Sequence, residues 1–228
     1  MKIAIVMPAL DEEKAIGDVL RSIPLDPALD VRRIVVDNGS TDRTAEIARE
    51  CGAEVVRENE RGYGAACQTG IARAGDTDVI VILDADGAED PGMLPHLLEP
   101  ILGDHADFVL GSRSLGVAEK GALPPQVRFG NALVTFLIRL FYGHRYTDMG
   151  PFRAIRKTAY DRLCMRDRNF GWNVEMQIKA VKKGLRVMEI PVPYRRRVGK
   201  SKISGTIKGT VMAGTKMLYA VVRYGLFS

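Results

Sequence analysis

Two carboxylates one residue apart, Asp84 and Asp86, follow an unbroken apolar run, Val79-Ile80-Val81-Ile82-Leu83. The run reads as a strand buried on both faces of a sheet. In extended backbone, side chains at i and i+2 point the same way, so Asp84 and Asp86 are expected to face one point in space. That point lies beyond the carboxyl end of the strand, where open α/β sheets bind ligands. Two neighbouring carboxylates repel unless a cation sits between them, and hard oxygen donors suit Mg²⁺ or Mn²⁺. Gly87 keeps a surface turn open as the alternative, because Asp and Gly are also turn residues.

A second apolar strand ends in Val36-Asp37-Asn38-Gly39-Ser40-Thr41-Asp42. Asp37 at that strand end is suited to accept hydrogen bonds from a nucleotide's ribose or base. Gly39 permits close approach, while Ser40, Thr41 and Asp42 cap the next helix. Pro8-Ala9-Leu10-Asp11-Glu12-Glu13 ends the first strand at the same edge of the sheet. Its backbone is given a base-contacting role, and Glu12 and Glu13 read mainly as first-turn partners of a helix dipole. Arg61-Gly62-Tyr63-Gly64-Ala65-Ala66 is a glycine-rich loop opening a helix, suited to close ligand approach. Arg195, Arg196, Arg197, Lys200 and Lys202 crowd one segment. Arginine forks match phosphate oxygens, and Ser201 adds a donor. A solvated charged loop is the plainer reading of such a run.

Periodicity supplies the elements that position these groups. Strands are expected at Lys2–Met7, Val31–Val36, Ala53–Arg57, Val79–Leu83 and Phe108–Gly111. Helices are expected at Glu12–Ile23, Thr41–Cys51, Gly64–Ala74 and Pro91–Leu102. Strands alternating with helices of this length predict βαβ units and a largely parallel sheet, an α/β fold. After Gly116 the regularity stops. Asn131–Tyr142 is apolar nearly all round, Phe152–Ile155 and Arg186–Ile190 read as strands, and Val174–Lys183 as a helix. Gly205–Tyr224 is helical in period, with Lys208, Lys216 and Arg223 on one side and Ile207, Val211, Leu218 and Val222 on the other. A catalytic domain over 1–204 and an amphipathic helical extension over 205–228 are the expected division.

The 228 residues suffice for one α/β domain with an appendage. A net charge of +5 predicts an anionic partner, and its crowding into one segment favours a local phosphate site over nucleic acid. Cys51, Cys67 and Cys164 lack metal-ligand spacing and point to a reducing, cytoplasmic setting. The apolar start stopped by Pro8 is a first strand and not a signal peptide. No stretch has the ~18 consecutive apolar residues of a spanning helix. The Asn131–Tyr142 and Gly205–Tyr224 helices are expected to rest peripherally on the inner face of a membrane, or to bury in the core or a homo-oligomer interface. His96, His105 and His144 have no partner spacing and are assigned no chemistry.

Taken together, Pro8-Ala9-Leu10-Asp11-Glu12-Glu13, Val36 through Asp42, Gly62-Tyr63-Gly64 and Leu83-Asp84-Ala85-Asp86 resemble the inverting family 2 glycosyltransferases of GT-A fold. The subgroup most similar is the polyprenyl-phosphate (dolichyl-phosphate) sugar synthases, through Gly111-Ser112-Arg113, Asp148-Met149-Gly150-Pro151-Phe152-Arg153, Pro191-Val192-Pro193-Tyr194 and Gly199-Lys200-Ser201-Lys202. Gly150-Pro151 departs from the small polar or Cys-Gly pair common there, and the membrane spans many members carry are not seen. The resemblance implies a nucleotide-sugar donor of UDP-glucose or GDP-mannose type. Asp84 and Asp86 would hold the metal on its diphosphate, and Pro8, Leu10, Glu12, Asp37, Gly64, Ala85 and Arg113 would line it. It also implies a lipid-phosphate acceptor met by Arg153, Arg195, Arg197, Lys200, Ser201 and Lys202. Trp172 is either a sugar-stacking platform there or a packed loop anchor.

On this reading the metal stabilises the departing diphosphate and attack from the opposite face inverts the anomeric carbon. A hydroxyl acceptor needs a general base, for which Asp148 and Glu175 are candidates beside the metal-site Asp86. A phosphate acceptor is already anionic and needs cations instead. The competing readings are transfer to a hydroxyl, nucleotidyl transfer and a non-catalytic membrane-surface module. Asp37, Asp84 and Asp86 all lie at strand ends, which disfavours the last, since they would repel an anion without a metal.

Overall fold

The central strand β1 (Lys2–Ala9) is buried on both faces. Ile3, Ile5 and Met7 enter one core while Ala4 and Val6 enter the other, as a continuous apolar run requires of an interior parallel strand. The computed structural model describes residues 1–199 together with Tyr219, Val221, Arg223 and Tyr224. On one side β1 pairs in parallel with β2 (Asp30–Asp37), and β2 with β3 (Glu54–Arg57). On the other side it pairs in parallel with β4 (Val79–Ile82). There the pattern breaks. β5 (Phe108–Ser112) does not join β4 directly, because β6 (Arg153–Arg156) inserts between them, antiparallel to both. β7 (Val187–Pro191) closes the edge parallel to β5, giving a seven-stranded sheet of order β3-β2-β1-β4-β6-β5-β7.

Two helical layers cover this sheet. α1 (Ile16–Ser22), α2 (Thr44–Glu50) and α4 (Leu94–Leu102), the last entered through a 3₁₀ turn at Pro91–Met93, lie over Ile3, Ile5, Val79 and Val81. α3 (Tyr63–Ala74), α5 (Pro125–Tyr142), α6 (Lys157–Leu163) and α7 (Trp172–Lys182) lie on the opposite face, over Ala4, Val6, Ile80 and Ile82. A β-carbon on Gly70 would collide with Val6 and Val36, so α3 approaches the sheet as only glycine allows.

The expected elements are present, with shifted ends. α1 starts at Ile16 and not at Glu12, because the amides of Ala15 and Ile16 both close a turn on the Glu12 carbonyl. α2 starts at Thr44, where the Asp42 carboxylate takes the Thr44 amide at 3.0 Å. α5 starts at Pro125, well before Asn131, since proline suits a first turn. α6 was not anticipated; it buries only Ala159 and Leu163, too few apolar positions to show a period. The expected C-terminal helix and the division at residue 204 fall largely outside the described residues. Of those described, Val221 and Tyr224 are buried, the Tyr142 hydroxyl donates to the Val221 carbonyl at 2.5 Å, and Lys182 Nζ donates to that of Tyr224 at 3.1 Å. Among the described residues no helix is long and apolar enough to cross a membrane.

Candidate active site

The carboxyl ends of β1, β2 and β4 meet at one edge, with Ala9 level with Asp37 and Val6 level with Ile82. The loops that follow are tied to each other. Asp11, held in the left-handed region at φ 50°, accepts the Thr41 amide at 2.7 Å, and its own amide donates to Ser40 Oγ at 3.0 Å. The Glu12 amide donates to Thr44 Oγ1 at 2.8 Å. Asn38 donates to the carbonyls of Glu58 and Glu60 and accepts the Gly62 amide at 2.9 Å. Asp37, nearly buried, accepts the Ser40 amide at 2.8 Å. These bonds fix the loops around Asp37, beside Pro8 and Leu10 at the end of β1, the residues expected to meet a nucleotide.

Asp84 and Asp86 lie just past β4, continuing the parity of Ile80 and Ile82, while Leu83 and Ala85 turn into the opposite core. The two carboxylates do share a locality. Burial, reinforced by the Asp86 charge, pushes the Asp84 carboxyl up to about 7. The Tyr63 hydroxyl, at the start of α3, donates to Asp84 Oδ1 at 3.0 Å. Glu89 is almost completely buried, and neither of its carboxylate oxygens has a partner among the described residues. Burial, then the charges of Asp84 and Asp86, pushes its pKa well above the carboxylate range. Excess negative charge in hard oxygen donors is what a divalent cation relieves. Among the described residues no third His, Cys, Asp or Glu completes a metal cage.

Several expected site residues do structural work instead. Asp148 is buried, with its carboxylate accepting the Arg113 amide, Nε and Nη2 at 2.7–2.8 Å and the Met149 amide at 2.7 Å. Glu175 has no exposed surface; it accepts the amides of Arg166 and Asp167 and pairs with Lys179 at 2.6 Å. Glu175, with no exposed surface, is not placed to take a proton from an acceptor, which corrects that expectation, whereas Asp148 borders a cleft but is held in its pair with Arg113. Arg153 is fully buried between Phe108 and Trp172 and donates to the Gly150 carbonyl, so it does not meet a phosphate. Trp172 is fully buried, edge-on to Tyr63 at 6.1 Å, and of its two readings is the loop anchor. A β-carbon on Gly64 would strike the Asp167 carbonyl, so glycine serves a protein contact there. Arg195 pairs with Asp90 at 3.0 Å, and Arg197 reaches Glu12 at 2.7 Å and Asp86 at 3.4 Å, placing it on the donor side. Lys200, Ser201 and Lys202 lie outside the described residues.

Beyond Arg113 opens a cleft of about 770 Å³ between the 113–121 segment, α5 and residues 145–148. Its acids are already engaged: Asp148 by Arg113, and Glu119 by the amide and side chain of Arg196. Arg128, Arg139 and Arg145 also line it, exposed and with no ion pair among the described residues. Next to them α5 exposes Phe129, Phe136, Leu140 and Phe141. At about 100° per residue Phe129, Phe136 and Leu140 form one stripe, with Arg128 and Arg139 alongside it. Tyr63 stood within a quoted motif without a role. Glu89, Arg128, Arg139 and Arg145 carried no signal, being single charges at unremarkable spacings.

A mostly parallel sheet with acidic loops at one carboxyl edge is the GT-A architecture of nucleotide-sugar transferases. The chain belongs to glycosyl transferase family 2, whose model matches residues 4–164. It is 37% identical to an uncharacterised glycosyltransferase of Mycobacterium tuberculosis, over 92% of this chain and 94% of the relative. It is 34% identical to a dolichyl-phosphate hexose transferase of Haloferax volcanii, over 88% of this chain and 86% of the relative. An undecaprenyl-phosphate mannosyltransferase of Micrococcus luteus is 29% identical over 99% and 95%. The same fold occurs in glucosyl-3-phosphoglycerate synthase from Mycobacterium tuberculosis, solved with Mn²⁺, uridine diphosphate and phosphoglyceric acid. The TM-score is 0.79 at 21% identity, over 100% of this chain and 79% of that one.

Proposed function

We infer that this glycosyltransferase moves a sugar, with inversion, from a nucleoside-diphosphate donor to the phosphate of a polyprenyl lipid at a membrane surface. The observation that carries the acceptor is the cleft beside α5, where Arg128, Arg139 and Arg145, with no ion pair among the described residues, adjoin an exposed aromatic stripe. Guanidinium forks suit phosphate, and the stripe suits the first isoprene units and the bilayer interface. The engagement of Asp148 and Glu175 supports the same reading, because a phosphate nucleophile needs no general base. Relatives named for dolichyl- and undecaprenyl-phosphate transfer agree with it.

On the donor side Pro8, Leu10 and Asp37 form the nucleotide corner. Asp84 and Asp86 supply hard oxygen ligands for Mg²⁺ or Mn²⁺, and the bare, buried oxygens of neighbouring Glu89 mark the same surplus of negative charge. Bound there, the ion would supply Lewis-acid stabilisation of the departing diphosphate. Tyr63 orients Asp84, and the Arg113–Asp148 pair forms the wall between donor and acceptor sides. On this reading the acceptor cleft lies along α5, apart from Arg195 and Arg197, which pair with Asp90, Glu12 and Asp86. The test is transfer from a panel of nucleotide sugars, with Mn²⁺ or Mg²⁺, to a short polyprenyl phosphate, to 3-phosphoglycerate and to a hydroxyl acceptor. Lipid phosphate is expected to be the best acceptor, and preference for either of the others removes the lipid assignment. Flotation with anionic vesicles at low salt checks the membrane surface; protein left wholly in the soluble fraction counts against it.

A further inference from the structure

The two carboxylates after β4 have different partners. Asp84 receives a neutral donor, the Tyr63 hydroxyl. Asp86 faces a cation: Arg197 Nη1 lies 3.4 Å from its Oδ2, while Nη2 of the same guanidinium donates to Glu12 Oε1 at 2.7 Å. The Nε of Arg197 is buried without a partner among the described residues. Arg197 therefore bridges the loop after β1 to the loop after β4. The strap that carries it is laid along the same acidic loop, the Arg195 amide bonding the Ala88 carbonyl at 2.8 Å and the Val198 amide that of Asp86 at 2.9 Å. Arg197 does not line the acceptor cleft.

A divalent ion on Asp86 and a guanidinium on the same carboxylate repel, strongly in a partly desolvated site. Hydroxyl and metal, by contrast, can share Asp84. We propose that Arg197 competes with the divalent cation for Asp86, and that metal binding turns its guanidinium from Asp86 to the donor's diphosphate. The strap is thereby coupled to loading of the site. A bidentate guanidinium–phosphate pair is the natural destination for the displaced fork. The inference rests on the reading that Asp84 and Asp86 hold the metal.

The test is titration of the whole protein with Mn²⁺ alone, following free Mn²⁺ by electron paramagnetic resonance, and then titration of the Mn²⁺-loaded protein with uridine and guanosine diphosphates. Arg197→Gln is expected to bind Mn²⁺ alone several-fold tighter and the better-bound diphosphate about tenfold weaker, the scale of one charge-assisted hydrogen bond. Arg195→Gln removes the same charge but from Asp90, and is expected to leave Mn²⁺ affinity near wild type. Arg197→Lys, which keeps the charge and loses the fork, is expected to retain the competition and lose diphosphate affinity. Unchanged or weaker Mn²⁺ binding by Arg197→Gln overturns the proposal, as does equal tightening in Arg195→Gln, which would mean long-range charge alone. Asp84→Asn separates the two layers. If it leaves Mn²⁺ binding intact, the metal assignment itself falls; if it abolishes binding while Arg197→Gln changes nothing, only the competition does.

Discussion

The donor and acceptor sides of the molecule are built in opposite ways. At the donor edge, the loops after β1, β2 and β3 are bonded to one another: the Thr41 amide donates to Asp11, the Gly62 amide to Asn38, and the Asn38 side chain to the Glu58 carbonyl. On the proposed acceptor side, Arg128, Arg139 and Arg145 are exposed with no ion partner among the described residues, and Phe129, Phe136 and Leu140 face outward. A closed polar set rigidifies and fixes geometry. An open, amphipathic surface leaves its contacts to be made by a ligand or a bilayer. The contrast fits the proposed transfer, in which the nucleotide is held in one pose while a lipid-phosphate acceptor arrives with a long tail.

The largest effect expected is at the donor edge. Asp84→Ala or Asp86→Ala should lower turnover by about 10³-fold or more, the scale of losing a main electrostatic stabiliser of the leaving group. Full activity in excess chelator would break the donor half of the comparison. The buried pair that holds the 166–167 loop comes next. Glu175→Ala strands Lys179 without its buried partner and should cost about 3–5 kcal/mol of stability in denaturant unfolding. Turnover per folded molecule should stay near wild type, whereas a general base would show the reverse. On the acceptor side, Arg128→Ala, Arg139→Ala and Arg145→Ala should each raise the acceptor KM about tenfold to a hundredfold with donor affinity unchanged. Equal losses on both substrates would erase the distinction between the halves.

The smallest effect is a pH dependence confined to the donor edge. The Asp84 pKa of about 7 in the folded protein lies above its ordinary 3.8. Its contribution to stability is complete below the ordinary value and is lost as pH rises through about 7. Without metal, the Tm should therefore fall between about pH 4 and 7 and level off above, and Mn²⁺ should oppose that fall. Because metal and proton compete, Mn²⁺ affinity should weaken by up to about tenfold per unit below pH 7. A flat Tm profile would show that Asp84 stays ionised.

The same contrast decides what could be read from the chain. Asp37, Asp84 and Asp86 stood out as candidates because Asp37 and the Asp84–Asp86 pair each follow an apolar run, and the structure places Asp84 and Asp86 together in the turn after β4. The parallel half of the sheet was legible for the same reason. The acceptor side depends on β6, whose antiparallel insertion no periodicity encodes, and on partners such as Arg113 and Asp148 that meet only after folding. Glu189 illustrates this: from the far edge strand it accepts the Thr147 amide at 2.9 Å, setting the turn that presents Asp148. The role given to Arg153 came from position in a motif and those given to Trp172 and Glu175 from residue type, and only burial reveals that the three lie beneath the surface.

The glycines that open α3 have a consequence for how the chain can be divided. Gly62 and Gly64 are pressed against the backbone carbonyls of Arg168 and Asp167, which lie beyond the residues matched by the family model. Glu175 and Trp172 hold that later loop in place, and β7 completes the sheet. A fragment ending at residue 164 would strip the backing from Tyr63 and leave the buried faces of α3 and β5 in water. Residues 4–164, the span matched by the family model, should thus not fold as a self-sufficient unit. Chimeras between relatives should exchange the 61–65 and 166–175 segments together, because the seam between them is where a mismatched graft would fail.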